Sequence, residues 1–174
     1  MPKAAAFPLR LALATMTATL LPAAAAHAEP AAPLQPMAFL AGHCWKGTFA
    51  DGKRTDEHCF AWLLGGKALR DTHTVRTPGK PDYVGETTYF VDPATQRVQY
   101  VYIENQGGIS RGTMTAGKPG VLSFPESVYA DADGPTTLRA RWTLQGGDAY
   151  EAWSEFQDKG EWKTMLRIVM KRQP

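Results

Sequence analysis

The stretch "HCWKGTFADGKRTDEHCF", residues 43–60, contains both cysteines of the chain and a strong turn signal midway between them. Asp51-Gly52 is a preferred dipeptide for the two-residue type I′ turn of a β-hairpin. A turn at this point pairs Cys44 with Cys59 and places a lysine opposite a glutamate on the same face. The stretch therefore predicts a hairpin whose two strands are joined by a disulfide.

Two other uses of the cysteines require a different context. A redox pair depends on a low-pKa thiolate, usually in a Cys-x-x-Cys motif at a helix start, whereas Cys44 and Cys59 lie on predicted strands. Metal binding by the thiolates is the second alternative. A disulfide closing a loop of about 15 residues contributes roughly 3 kcal/mol of stability in the chain-entropy account.

The N-terminus predicts export. The first ten residues carry two basic residues and no acid, residues 11–25 are mostly apolar, and Ala26-His27-Ala28 fits a small-x-small cleavage site. This pattern indicates a signal peptide over residues 1–28, cleaved after Ala28, because the apolar stretch is too short for a membrane span. We therefore expect a periplasmic or secreted protein with no membrane insertion after cleavage. A helical N-terminal domain is the alternative.

The charge balance indicates which partners to expect. Without the two basic residues of the signal peptide, the 19 Lys and Arg fall to the number of the 17 Asp and Glu. A near-neutral chain without a basic stripe predicts no nucleic-acid partner, and it leaves the oligomeric state open. Residues 29–36 are rich in Pro and Ala and predict a short flexible tail, so residues 37–174 form one domain.

Short apolar and β-branched runs between Gly and Pro turn signals dominate that domain, after one helical turn predicted at 37–41. The predicted strands cover 44–50, 54–62, 67–76, 82–91, 97–105, 109–116, 119–125, 136–145, 148–157 and 161–172. Ten short strands joined by tight turns indicate an all-β fold, an up-and-down antiparallel β-barrel. A two-sheet sandwich is the alternative.

Alternation in the last three strands predicts which residues face solvent. One face of the last strand carries Trp162, Thr164, Leu166, Ile168 and Met170. The opposite faces are interpreted as a solvated cross-strand ladder of charges. Its members are Arg139, Arg141, Glu151, Glu155, Lys163 and Arg167.

A second turn, at Gly residues 65–66, extends the first hairpin to a third strand. In this register His58 lies opposite His73 on one face. Asp56 and Asp71 each stand two residues before one of these histidines, so two Asp-x-His segments lie side by side. If this face points inward, the cluster lies inside the barrel.

Such a cluster can serve three purposes. It can be a structural hydrogen-bond network, or it can be the polar part of a ligand pocket. The third possibility is a true metal or catalytic site, in which His58 and His73 bind zinc or copper or act as acid and base near neutral pH.

Aromatic residues accompany the cluster. Trp45, Phe60 and Trp62 share its face, and Tyr100 and Tyr102 present two rings on one face of the fifth strand. Rings in this pattern either line a pocket for an apolar ligand or form ordinary core. The candidate ligand-binding residues are Trp45, His58, Phe60, Trp62, Asp71, His73, Tyr100 and Tyr102.

Three segments resemble the calycin-type barrels: "FLAGHCWKGTF" (39–49), "GGKALRDTHTV" (65–75) and "GETTYFVDPATQRVQYVYIENQGG" (85–108). The chain resembles in particular the bacterial lipocalin-like domains of unknown function grouped as DUF1579, which are similar to nitrobindin-like haem-binding barrels. The resemblance covers residues 37–172. It implies an antiparallel barrel of eight or ten strands whose interior can hold a small hydrophobic molecule.

Two features differ from those families. Lipocalins have Gly-x-Trp in the first strand, whereas Gly42 and Trp45 are one residue further apart. Nitrobindin-like barrels hold haem iron with a histidine late in the chain, and this sequence has no histidine after His73. The resemblance therefore assigns no haem or other cofactor.

The sequence as a whole predicts that the barrel binds a small, partly apolar ligand without catalysing a reaction. Two alternatives come from other classes of protein. The first is a haem- or metal-dependent enzyme that uses His58 and His73. The second is a structural or inhibitory envelope protein that acts through its outer surface.

Overall fold

The structure is a computed structural model that describes residues 29–174; the predicted signal peptide, residues 1–28, lies outside the described residues. The described part begins with a 3₁₀ helix, Ala32–Met37, and continues through ten strands. The strands are β1 (Cys44–Thr48), β2 (Thr55–Leu63), β3 (Ala68–Arg76), β4 (Tyr83–Val91), β5 (Val98–Glu104), β6 (Ile109–Lys118), β7 (Val121–Asp131), β8 (Gly134–Leu144), β9 (Ala149–Asp158) and β10 (Glu161–Arg172).

Each strand pairs antiparallel with the next, and β1 pairs with β10, so the sheet closes into a barrel. This confirms the all-β up-and-down barrel and excludes the sandwich, which would leave edge strands. The strands lie close to their predicted positions, except that β7 continues to Asp131, past the predicted end at 125. The register of β7 against β8 shifts around Pro125, so the proline produces a bulge without ending the strand.

Both predicted registers of the first three strands are confirmed. Cys44 lies opposite Cys59 between β1 and β2, and the two residues form a disulfide. His58 lies opposite His73 between β2 and β3. A slip of one residue would turn every side chain of β2 to the other face, so this register determines which residues point inward.

The first hairpin turn differs from the predicted type I′ geometry. That type needs positive φ at both central residues, but Gly52 has a φ of 69° and Asp51 does not share it. The loop closes with a hydrogen bond from the Phe49 N–H to the Arg54 carbonyl at 3.0 Å. The Asp51 carboxylate accepts the Lys53 N–H at 2.9 Å, so an aspartate-centred turn holds the predicted register.

The helical segment begins earlier than predicted. The turn expected at 37–41 is present, since the Leu40 N–H donates to the Met37 carbonyl at 3.0 Å. The flexible tail expected over 29–36 instead contains the 3₁₀ helix Ala32–Met37, whose Leu34 and Met37 are fully buried. The difference arises from proline, which favours extended chain in most positions but is tolerated in the first turn of a helix, where it stands here.

This helix closes one end of the barrel. Leu34, Met37 and Leu40 are fully buried, and they belong to the same core as Trp45 and Tyr150. The indole Nε1 of Trp45 donates a hydrogen bond to the Leu40 carbonyl at 3.1 Å, which satisfies its buried polar group. No helix among residues 29–174 is long and apolar enough to span a membrane.

A β-bulge in β10, between Thr164 and Leu166, corrects part of the predicted alternation. The extra residue reverses the phase, so Trp162 and Thr164 lie on the outer face and not with the inward-facing residues further along the strand. The same shift moves Lys163 away from the predicted ladder, and its ammonium pairs with Asp158.

The rest of the charged ladder is present on the outer face. Nε of Arg139 lies 2.6 Å from a carboxylate oxygen of Glu155, and Nε of Arg167 lies 3.1 Å from one of Glu151. The Arg139 guanidinium also lies 4.1 Å from the centroid of the Trp162 ring. These contacts are solvated, so each contributes little to stability.

The disulfide generates the first prediction. Its sequence separation of 15 residues corresponds to about 3 kcal/mol in the chain-entropy account. The double variant Cys44→Ala/Cys59→Ala should therefore unfold at a lower urea concentration, with its free energy of unfolding reduced by about 3 kcal/mol. Wild-type protein treated with a reductant should show a similar loss. An unchanged urea midpoint of unfolding in both samples would contradict the stabilising role of the disulfide.

Candidate functional site

The barrel contains a cavity of about 760 Å³ in the half away from the 3₁₀ helix. It lies among the ends of the strands that are farthest from the helix, and Ser, Thr and charged groups interrupt a largely aromatic wall. The aromatic residues of that wall are Phe49, Tyr83, Tyr89, Tyr100, Tyr102, Phe124, Tyr129, Trp142 and Phe156. The interior is therefore filled at one end and hollow at the other.

His58 lies between two carboxylates in the wall of the barrel. Its Nδ1 lies 2.8 Å from Oδ2 of Asp71, and its Nε2 lies 3.3 Å from Oδ2 of Asp56. Both carboxylates are almost fully buried, with 3% of Asp56 and 2% of Asp71 exposed. A histidine with an acceptor at each ring nitrogen is best satisfied as an imidazolium, which donates from both.

His73 extends this network to the cavity. Its Nδ1 lies 3.5 Å from Oδ1 of Asp56, which is too long for a good hydrogen bond, and neither atom has another partner. Its Nε2 lies 3.0 Å from the Tyr102 hydroxyl, which in turn lies 2.6 Å from the Tyr83 hydroxyl. Polar contacts thus lead from the buried Asp71 through His58 to Asp56, and from His73 to two tyrosines that line the cavity, with the 3.5 Å separation between Asp56 and His73 as the gap between the two parts.

The charges and the burial of these polar side chains shift the pKa values of His58, Asp56 and Tyr102. Burial disfavours the charged form of His58, but the carboxylates of Asp71 and Asp56 outweigh it and raise the pKa of His58 to about 10. Burial alone would raise the pKa of Asp56, but the two neighbouring histidines hold it well below its ordinary value. Burial raises the pKa of Tyr102 well above 10, so its hydroxyl stays neutral at pH 7.

The network predicts a pH dependence of stability. The pKa of His58 is raised from 6.5 to about 10 in the folded state, so protonation favours folding. The stabilisation is fully present below about pH 6.5 and is lost as the pH rises through about 10. With a metal chelator present, urea unfolding should show a free energy of unfolding that falls across this window.

The variant His58→Gln keeps a hydrogen-bonding side chain but cannot become charged. It should be less stable than the wild type at pH 7 and should lack this fall, whereas His43→Gln should retain it. If the His58 variant follows the same pH curve as the wild type, His58 is not the group that titrates.

Three glycines leave space for the aromatic rings and the histidine of the site, and none of them was among the site residues predicted from the sequence. A Cβ at Gly85 would lie 2.4 Å from Nε2 of His73 and 2.6 Å from the ring of Tyr102. A Cβ at Gly112 would lie 2.6 Å from the Tyr100 hydroxyl, and one at Gly108 would lie against the Tyr129 hydroxyl. The sequence signal was an isolated glycine within a strand, which marks a close approach.

Gly85 gives a direct test of this packing. Gly85→Ala should force His73 and Tyr102 apart and lower the free energy of unfolding by about 1–3 kcal/mol, the usual cost of overpacking. Gly117→Ala is the matched control, because a Cβ at Gly117 meets no atom within 4 Å. If the two substitutions change thermal unfolding equally, the loss of stability in Gly85→Ala does not come from contact with His73 and Tyr102.

Other polar groups near the cavity were also missed. Glu104 is 5% exposed and accepts hydrogen bonds from the backbone N–H groups of Gln106 and Gly108. The Tyr129 hydroxyl donates to the same carboxylate at 3.2 Å. The Tyr100 hydroxyl donates to Ser127 at 2.9 Å. The two tyrosine contacts join β5 to β7, which are not neighbours in the sheet, and strand alternation does not reveal such contacts.

The structure divides the predicted site residues into two groups. His73, Tyr100 and Tyr102 line the cavity, and His58 and Asp71 lie directly behind His73. The other three are Trp45, Phe60 and Trp62. They lie in or against the core and are not part of the cavity lining.

The chain matches no family model, and no curated protein matches it. It is similar to a solved structure described as "Crystal Structure of Rv2717c from M. tuberculosis", with a TM-score of 0.57 and 19% sequence identity. The similarity covers 84% of this chain and 100% of that chain. At 19% identity, this similarity supports a shared fold and nothing more. The closed ten-stranded antiparallel barrel and this neighbour are consistent with a calycin-like fold.

Proposed function

We propose that the barrel binds a small, partly apolar molecule in its hollow half. The observation that carries this proposal is the aromatic-lined cavity of about 760 Å³, a volume within the range of sites for small ligands. Small closed barrels either fill their interior with side chains or hold one ligand, and this barrel does the first at only one end.

The chemistry of the wall indicates the class of ligand. Aromatic faces favour a planar or aliphatic body, since they offer large apolar contact with little loss of side-chain entropy. Polar groups are concentrated on one side, where His73, Tyr83 and Tyr102 form a hydrogen-bonded row. A ligand with an apolar body and one hydroxyl, carbonyl or amine group fits this distribution.

His58 and Asp71 contribute indirectly in this proposal. They fix the position of Asp56, which flanks His73, so that His73 and Tyr102 meet a ligand in a defined orientation. A tyrosine is neutral at pH 7, and burial raises the pKa of Tyr102 further, so its hydroxyl keeps its proton and can both donate and accept. Binding without a chemical step needs no more than this.

The haem-dependent alternative receives less support from these contacts. Both ring nitrogens of His58 face carboxylates, and Nε2 of His73 faces the Tyr102 hydroxyl. A histidine that ligates haem iron through any of these three nitrogens would have to break its contact. We also propose that residues 37–172 are related to the lipocalin-like domains grouped as DUF1579, which they resemble in sequence.

We further propose that the protein acts in the periplasm or outside the cell. The Cys44–Cys59 disulfide supports this location, because such bonds persist in oxidising compartments and are rare in the cytosol. The predicted signal peptide, cleaved after Ala28, belongs to the same proposal. The expected ligand would then be one that is available outside the cytoplasm.

A bulky residue in the cavity should weaken binding. Ala140 lies on β8 and lines the cavity, so Ala140→Phe should reduce the affinity for N-phenyl-1-naphthylamine, a neutral aromatic probe, by at least roughly tenfold. Probe fluorescence titrated against the purified protein gives the affinity, and circular dichroism checks the fold.

The control for this experiment is Thr143→Phe on the outer face of the same strand, which should leave the affinity unchanged. Saturable wild-type binding with the loss confined to the cavity variant is the expected result. Absence of saturable wild-type binding, or identical affinities for the two variants, would refute a cavity site for this class of probe.

A further inference from the structure

Three buried polar atoms of the described cavity lining lack hydrogen-bond partners, namely Oδ1 of Asp56, Nδ1 of His73 and Oγ of Ser110. The first two face one another at 3.5 Å. Asp56 is 3% exposed and also borders the cavity. Buried polar atoms are nearly always satisfied in folded proteins, so a pair of unsatisfied atoms that face one another points to a bound species between them.

The neighbouring atoms have the composition of a metal site. A carboxylate oxygen of Asp56 and one ring nitrogen each from His58 and His73 all lie within 4.8 Å of one another. Two imidazoles and one carboxylate are suitable ligands for Zn²⁺, and sites with three protein ligands keep a fourth position open.

The spacing is close to what a tetrahedral ion requires. Zinc lies about 2.0–2.1 Å from its nitrogen and oxygen ligands, so ligand atoms around it stand about 3.3–3.4 Å apart. Nε2 of His58 is 3.3 Å from one oxygen of Asp56, and Nδ1 of His73 is 3.5 Å from the other. One ligand atom from each residue lies within 4.8 Å of the others, so the three side chains have to close by up to about 1.4 Å around the ion.

The outer partners of the histidines leave the nitrogens that face Asp56 for the ion, which displaces the proton that Nε2 of His58 donates to Asp56 in the metal-free protein. Asp71 accepts from Nδ1 of His58 at 2.8 Å, which turns Nε2 towards Asp56. Tyr102 lies 3.0 Å from Nε2 of His73, which leaves Nδ1 directed towards Asp56. Histidine ligands of metals usually make such a contact through the second nitrogen, and it fixes both the tautomer and the ring orientation.

We propose that Asp56, His58 and His73 bind one divalent transition-metal ion of the zinc class, with Asp71 and Tyr102 as positioning residues. Two of the three ligands, Asp56 and His73, border the cavity, so the open coordination position faces it. A ligand in the cavity could bind the ion through a carboxylate, hydroxyl or amine. This last point rests on the proposed ligand-binding function, whereas metal binding itself does not.

The first test is titration of the untagged, full-length, chelator-treated protein with Co²⁺, whose visible absorption reports coordination geometry, followed by competition with Zn²⁺. We expect one ion per chain and the intense absorption of a four-coordinate site. Asp56→Asn and His73→Ala should each weaken binding by at least roughly tenfold. His43→Ala is the matched control and should bind like the wild type, because His43 lies outside the cluster.

A second variant keeps the test decisive if the ligand variants fail to fold. Asp71→Asn preserves shape and should lower the affinity for Zn²⁺ by roughly 10–100-fold, the usual effect of losing an outer-shell carboxylate. A merely structural Asp71 would change thermal stability and leave the metal affinity of the folded protein unaltered. That result would overturn the positioning role.

The same samples distinguish this proposal from the proposed function. Absence of stoichiometric Co²⁺ and Zn²⁺ binding, or an equal loss in the His43 variant, would overturn the metal site. Titration with N-phenyl-1-naphthylamine in the chelated state tests the cavity separately. If the metal titration fails and the probe still binds, only the metal-site proposal is refuted. If the metal binds and the probe does not, only the proposed binding of an apolar ligand is refuted.

Discussion

The candidate site depends on the register of β2 against its two neighbours. Strand side chains alternate between faces, so the pairs Cys44–Cys59 and His58–His73 together turn one face of β2 inward. The disulfide covalently joins β1 to β2 on the opposite face. A slip of one residue would expose Asp56 and His58 to solvent and remove both the polar network and the candidate metal ligands from the interior.

Burial makes this network intolerant of partial loss. Asp56 and Asp71 pay a large desolvation cost, which contact with His58 offsets. Removing one partner leaves an uncompensated charge, so the members hold one another in place. The residual defect, two unsatisfied atoms on Asp56 and His73, is located where the network meets the cavity. That location is the reason to connect the network with binding.

Much of this architecture was accessible from sequence. Turn residues and alternation predicted ten strands, and two consecutive hairpins predicted which histidines and aspartates share a face. The errors came from local signals that have two meanings. The segment around Pro33 was interpreted as a flexible tail, but Pro33 lies in the first turn of a helix. Asp51-Gly52 was expected to form a type I′ turn, but it holds the register through a different turn type. The bulge in β10 left no distinct signal, so Trp162 was assigned to the wrong face.

The sequence by itself determined the strand order, the disulfide and which histidines and aspartates share one face of β2 and β3, because all three follow from contacts between segments that are neighbours in the chain. Only the tertiary structure decided that this face points inward, and which end of the barrel is filled and which is hollow. It also decided that Gly85, Tyr83 and Tyr102 would surround His73. Alternation states which face a side chain occupies but not its height along the barrel axis. Height is set by closure of the sheet and by the helix that blocks one end.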